Sequence, residues 1–243
     1  MSTSIYFRGG HPELVSGSHH FVQGKPLNIN EMLKQVQHDE YMRKVKILTH
    51  LRKDKKLVKL IDKLDFPTWE EDGDLFSHIV SNIIGQQLSG GPARIIEERF
   101  VNLFTTKPFP TPEEILAIAD EKIRSCGTSW AKVKYIKSLA QAVFDKSLDL
   151  ESLRKLTDEE IIQELTKVKG IGRWTAEMIL IFHLQRPDVF SLGDLGLRNA
   201  VSKLYRVPRE DLKKIEKISL KWKPYRSYAA RYLWDGLDEK IIV

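Results

Sequence analysis

Apolar residues recur at helical spacing along most of this 243-residue chain, and capping and turn residues divide them into separate segments. Residues 43–63 carry Leu48, Leu51, Val58, Ile61 and Leu64 as a stripe through a dense run of lysines and arginines, which predicts one basic amphipathic helix. After a turn at Pro67, Asp74 is placed to cap a helix bearing Leu75, Ile79, Ile83 and Leu88. Pro92 stands at the first position of the next, ahead of Ile95, Ile96, Phe100 and Leu103. Thr111-Pro112-Glu113-Glu114 joins a cap to a proline at the first turn, Asp120 opens a short helix that Gly127 ends, and Ser129 starts one with Val133, Ile136, Leu139 and Val143. Thr157 and Glu160 have capping-box spacing for a helix over 161–167. Further helices are predicted at 174–184, Leu195–Tyr205, 209–218 and 225–234. Strand alternation is nowhere sustained, so the expected class is all-α.

Residues 1–41 break this pattern. They hold His11, His19, His20 and His38 among scattered glycines and prolines, with no apolar period, and are expected to be a disordered extension. The first helix is then expected to open at Met42, with the domain over 42–236 and a short tail over 237–243. The paired His19-His20 is read as solvated rather than metal-binding.

Composition narrows the function only slightly. The 39 Lys and Arg against 33 Asp and Glu give a net charge of +6, compatible with a polyanionic partner but not diagnostic of one. The single cysteine, Cys126, excludes an intramolecular disulfide and a four-cysteine iron–sulfur cluster. No apolar run approaches the ~20 residues of a membrane span, and no signal peptide is legible, so a cytoplasmic protein is expected, or a nuclear one in a eukaryote.

The chemistry concentrates around Gly170-Ile171-Gly172, between two apolar-periodic helices, and around Asp194 one helix and a return loop later. A glycine turn at a helix start lets backbone N–H groups approach a phosphate, assisted by the helix dipole. On its own a G-x-G turn is equally an ordinary helix C-cap. Asp194 reads both as the N-cap of the following helix and as a carboxylate placed where positive charge develops.

Five ordered motifs join these features: Ile84-Gly85-Gln86-Gln87-Leu88-Ser89, Cys126-Gly127-x-Ser129-x-x-Lys132, Val168-Lys169-Gly170-Ile171-Gly172-Arg173-Trp174-Thr175-Ala176, Gly193-Asp194-Leu195-Gly196-Leu197-Arg198, and Trp222-Lys223-Pro224-Tyr225-Arg226-Ser227-Tyr228-Ala229. Together they resemble the helix-hairpin-helix DNA glycosylases of base-excision repair, most closely the alkylpurine type, over residues 43–236. The resemblance implies two helical lobes with a cleft between them and the hairpin at 165–176. It implies that Asp194 is the catalytic carboxylate, which stabilises an oxocarbenium-like sugar or orients water. Trp174 stands where lyase-competent relatives carry a Schiff-base lysine, and an indole forms no imine, so a monofunctional enzyme leaving an abasic site is implied. Trp234 is implied to face a pocket for the flipped base, where a cationic alkylpurine is held by cation–π attraction. Trp174 and Trp222 are its candidate neighbours, although core packing is the favoured reading of Trp222.

Double-stranded DNA containing damaged bases is the implied partner of an expected monomer. Contacts fall to Gln86, Gln87, Lys169, Gly170, Gly172, Arg173 and Thr175. Gln87 aligns with the wedge that fills the vacated stack, the alternative being a buried amide bonded to backbone. No cofactor is required. A structural Na+ or K+ is implied on the main-chain carbonyls of Thr166, Val168 and Ile171. Two rival readings stay open: a glycosylase for deaminated, oxidised or mismatched bases, and a non-catalytic DNA-gripping module.

Overall fold

The computed structural model describes residues 7–8, 11–12, 21–22, 25–26, 29–69, 74–88, 90–106 and 108–242. The chain divides into two units, Met1–His50 and Leu51–Val243. In the first, β1 (Phe7–Arg8) pairs antiparallel with β2 (His11–Pro12), and β3 (Phe21–Val22) with β4 (Lys25–Pro26). Among the described residues these two-residue ladders stand beside a fold that is otherwise helical, as the all-α expectation has it. His19 and His20 lie outside the described residues, as does much of the expected extension.

Helix α1 spans Ile29–Leu51, so it starts well before Met42. Periodicity misses its first half because that half has no buried stripe: Val36, Tyr41 and Met42 are exposed. Good helix formers and a local bond from Gln35 Nε2 to Asp39 Oδ1 (2.9 Å) suit a helix there instead.

The single helix expected over 43–63 is broken in two. Asp54 Oδ1 accepts the backbone N–H groups of Lys56 (3.0 Å) and Leu57 (3.3 Å), an aspartate turn that competes with helical bonding. Only Val58–Ile61 resumes as α2.

From there the caps act as the sequence predicts. Asp74 accepts from Ser77 N at the start of α3 (Leu75–Gly85), and α4 is Gly90–Val101. Thr111 with Glu114, and Thr157 with Glu160, form complete capping boxes for α5 (Pro112–Ala117) and α8 (Asp158–Thr166). Between these lie α6 (Asp120–Ser125) and α7 (Trp130–Phe144), the latter capped by Ser129. The chain continues as α9 (Arg173–Phe182), α10 (Leu195–Tyr205), α11 (Leu212–Ser219) and α12 (Arg226–Asp238). Among the described residues, no helix is long and apolar enough to cross a membrane.

Packing sorts these helices into two sets. In one, α7 meets α3, α5 and α6, while α3 meets α4 and α9, and α9 meets α8. Its core runs from Phe76 and Ile79 through Ile136 and Leu165 to Ile179 and Leu180. In the other, α12 meets α2 and α10, and α10 meets α11. The expected tail belongs to this second set. Ile241 N and Ile242 N both donate to Gly236 O, and the Ile242 side chain is buried where Gly236 leaves room for it.

Trp222 anchors the second set and is no part of a pocket, which corrects its assignment to the base site. It is fully buried, packs at a tilt against Phe190 (5.6 Å) and Tyr205 (6.1 Å), and donates Nε1–H to Asp54 Oδ2 at 3.2 Å. One aspartate thus breaks the first basic helix and satisfies the indole. Removing this ring leaves a large cavity and takes the indole donor away from Asp54 Oδ2. Trp222→Ala should therefore cost about 3–5 kcal/mol in a urea denaturation.

Candidate active site

Asp194 ends the turn Ser191-Leu192-Gly193-Asp194 that enters α10. Its N-cap geometry is complete, with Oδ1 accepting Leu197 N at 2.7 Å. The same oxygen accepts Trp234 Nε1 at 3.0 Å, and Oδ2 accepts Trp174 Nε1 at 2.9 Å. Three N–H donors from α9, α10 and α12 therefore converge on one half-buried carboxylate. The N-cap and functional readings of Asp194 are compatible in this geometry.

Gly196 makes the arrangement possible. A Cβ at that position would lie 3.1 Å from Asp194 Oδ1 and 3.2 Å from Trp234 Nε1. The sequence quotes this glycine in its motif but shows no reason for it, because its neighbour is a tryptophan from a distant helix. Beyond the indole, Trp234 stacks on Phe182 (5.5 Å), and Phe182 in turn carries the Arg231 guanidinium 5.2 Å from its centroid. Trp174 remains substantially exposed and borders a cleft of about 280 Å³ lined also by Phe190, Leu192 and Gly193.

The hairpin turn joins α8 to α9. Gly170 has φ +95, and a Cβ there would sit 2.1 Å from the Tyr135 ring, so only glycine fits. Gly172 differs. Its φ is −88, it gives α9 no side-chain cap, and a Cβ there would meet nothing within 4 Å. The first N–H groups of α9 have no partner within their helix, and this side stays open to an approaching anion.

Several residues expected to contact DNA are bonded within the protein. Gln86 Nε2 donates to Gly170 O (3.0 Å) and Thr175 Oγ1 (3.3 Å), and Thr175 is buried. This amide bonded to backbone is the alternative weighed for its neighbour. Arg173 forms a bidentate pair with Glu159 (3.0 and 2.9 Å) and gives Nε to Glu177 (3.1 Å). A guanidinium so committed is not a free phosphate ligand. Lys169 is exposed beside the turn. Gln87 is exposed too, with its backbone held at φ 60, a left-handed conformation that a non-glycine residue adopts at some cost.

Lys132 shows what holds Gln87 there, a role sequence reasoning missed. Its Nζ donates to Ile84 O (2.6 Å) and Gln86 O (2.7 Å), closing the C-terminal carbonyls of α3. Burial lowers its pKa from the usual lysine value. The Ser129-x-x-Lys132 spacing was the only available signal: Ser129 caps α7 and Lys132 sits in its first turn. His78 and His183 stack with ring centroids 3.9 Å apart. Burial and the neighbouring His78 lower His183 to about 4.

Gly170→Ala should lose about 2–4 kcal/mol in chemical denaturation, because the left-handed backbone and the Tyr135 ring both oppose a Cβ. Gly172→Ala, with neither obstacle, should fall within about 1 kcal/mol of the unaltered chain.

The profile described as HhH-GPD superfamily base excision DNA repair protein matches residues 80–225. The DNA-3-methyladenine glycosylase 1 of Schizosaccharomyces pombe is 38% identical over 182 residues, 74% of this chain and 80% of that protein. The DNA-3-methyladenine glycosylase of Saccharomyces cerevisiae is 35% identical over 189 residues, 70% of this chain and 60% of that protein. Among solved structures, the S. pombe 3-methyladenine DNA glycosylase in complex with abasic DNA superposes with a TM-score of 0.71 at 36% identity, covering 79% of this chain and 97% of that one.

Proposed function

The chain belongs to the HhH-GPD superfamily of base excision DNA repair proteins, and we propose that it is a monofunctional DNA glycosylase that hydrolyses the N-glycosidic bond of alkylated purines such as 3-methyladenine. The observation that carries the reading is the Asp194 carboxylate, fixed by two indoles and a helix N-terminus beside the hairpin turn. A DNA-gripping module has no use for such a group, which would repel phosphate.

Scission of the bond from C1′ to the base nitrogen sends the electron pair to the base and leaves positive charge on the sugar. Asp194 stabilises that charge, and water completes the abasic product. An N-alkylated purine carries its own positive charge and departs as a neutral base, so no strong general acid is needed. Trp174 supplies an indole N–H to Asp194 and no amine, so the chemistry ends at the abasic site.

DNA is the partner. Its backbone is received by the open first turn of α9 at Gly172, with Lys169 beside it, and the exposed Gln87 fills the stack from which the base is flipped. The carbonyls of Thr166, Val168 and Ile171 are hard, neutral donors of the kind a Na+ or K+ takes. Val168 O accepts one N–H, from Ile171 at 3.1 Å, which leaves its second lone pair for an ion that would bridge to phosphate. We place the protein as a monomer in the compartment that holds the DNA.

Asp194→Asn keeps the cap but removes the charge, and it turns an amide donor toward one of the two indoles. Single-turnover base release from a 3-methyladenine duplex should fall at least ~10²–10³-fold while duplex binding survives. Near-normal turnover would sink the assignment.

One observation favours a second reading, in which neutral deaminated bases are the substrates. The Arg231 cation on Phe182 lies close to the proposed pocket and opposes a charged base. Trp234→Leu separates the two readings. It weakens the hold on Asp194 for every substrate alike, so the ratio between substrates reports the ring face alone. If cation–π stacking selects, excision of 7-methylguanine should drop about 2–30-fold more than excision of hypoxanthine. Equal losses would remove the electrostatic selection.

A further inference from the structure

Glu177 is a carboxylate buried to 7% exposure in the middle of α9, where acidic side chains are rarely found without a compensating partner. Its two oxygens are used separately. Oε1 accepts Arg173 Nε at 3.1 Å, and Oε2 accepts the hydroxyl of Ser191 at 2.5 Å. Ser191 is fully buried and opens the turn that ends at Asp194, and Asp194 N closes that turn on Ser191 O at 3.3 Å. The hydroxyl has a single proton to donate, and it goes to Glu177.

The spacing is the telling part. Trp174 and Glu177 lie three residues apart on α9 and so share a face of the helix. Ser191 and Asp194 lie three apart in the turn. Glu177 holds the first residue of the turn, and Trp174 holds the last. Helix α9 therefore grips the turn at both ends. Arg173 balances the buried charge, and its bidentate pair with Glu159 anchors it to the first turn of α8. This accounts for the commitment of the exposed Arg173 guanidinium to two carboxylates.

We infer that Glu177, acting through the Ser191 hydroxyl, is a positioning residue that sets the place of the Asp194 carboxylate. The inference rests on the reading of Asp194 as the catalytic group. The effect of Glu177 runs through the turn. Small displacements of a reacting group carry large rate penalties, so loss of this bond acts on the chemical step more than on DNA affinity.

The test uses the full chain with Glu177→Ala, Ser191→Ala and Glu177→Gln. Four quantities are read: single-turnover base release at saturating enzyme, affinity for a duplex bearing a tetrahydrofuran abasic analogue, melting temperature, and the indole N–H resonances of Trp174 and Trp234 in a 15N-labelled sample. Both alanine variants should slow base release about 10–100-fold, hold duplex affinity within about 3-fold, and move both indole resonances. Glu177→Gln keeps an oxygen for Ser191 and should recover most of the rate. If Glu177→Ala does not fold, Ser191→Ala reads the same bond from the other side. Unmoved indole resonances, a normal rate, or rate losses that merely follow affinity and melting temperature would overturn the proposal. Asp194→Asn run alongside keeps the two readings apart. If that variant turns over normally, the catalytic assignment fails, whereas the indole resonances still report where Glu177 places the carboxylate.

Discussion

A single carboxylate accepting N–H donors from three helices is the constraint around which this molecule is arranged. Asp194 takes the α10 backbone through Leu197 and one indole each from α9 and α12. A shift of about an ångström would leave one or more of these donors unpaired in a half-buried site, where an unmade hydrogen bond costs about 1–3 kcal/mol. The two sets of helices meet at this residue: Trp174 arrives from the set built on α3, α7 and α9, Trp234 from the set built on α10 and α12. Gly196 suits the same demand, since a Cβ there would crowd both Asp194 Oδ1 and the Trp234 indole.

A second fixed connection runs between the end of α3 and the glycine turn. Gln86 ties the end of α3 to the hairpin at Gly170, and Lys132 closes the carbonyls at Ile84 and Gln86. Together they hold Gln87 in its left-handed conformation beside the hairpin turn. Gln87 and the glycine turn thus belong to one hydrogen-bonded block, so the proposed wedge and the proposed phosphate-binding turn are positioned together.

Most of the fold was legible because helix boundaries are written locally. Asp74, Thr111, Ser129, Thr157 and Asp194 cap the helices expected of them, since a cap depends on residues three positions away. The failures share a cause. The first half of α1 has no buried face, so it left no period to read. Asp54 breaks a helix that has a good stripe, because its side chain bonds to the next backbone groups and to Trp222, far off in sequence.

By itself, then, the sequence determined the helical class, the caps, the glycine turn, and the identity of Asp194, Trp174 and Trp234 as the group to watch. The class, caps and turn follow from local spacing, and the group around Asp194 from the motifs that carry the family resemblance. Only the tertiary structure decided which side chains face inward and which bonds they spend. Trp222 went to the core, Gln86 and Thr175 to each other, Arg173 to Glu159 and Glu177, and Glu177 to Ser191. The physical reason is that a hydrogen-bonding group carries no mark in the sequence of which partner it will meet. Donor and acceptor are matched only when distant segments are brought within about 3 Å.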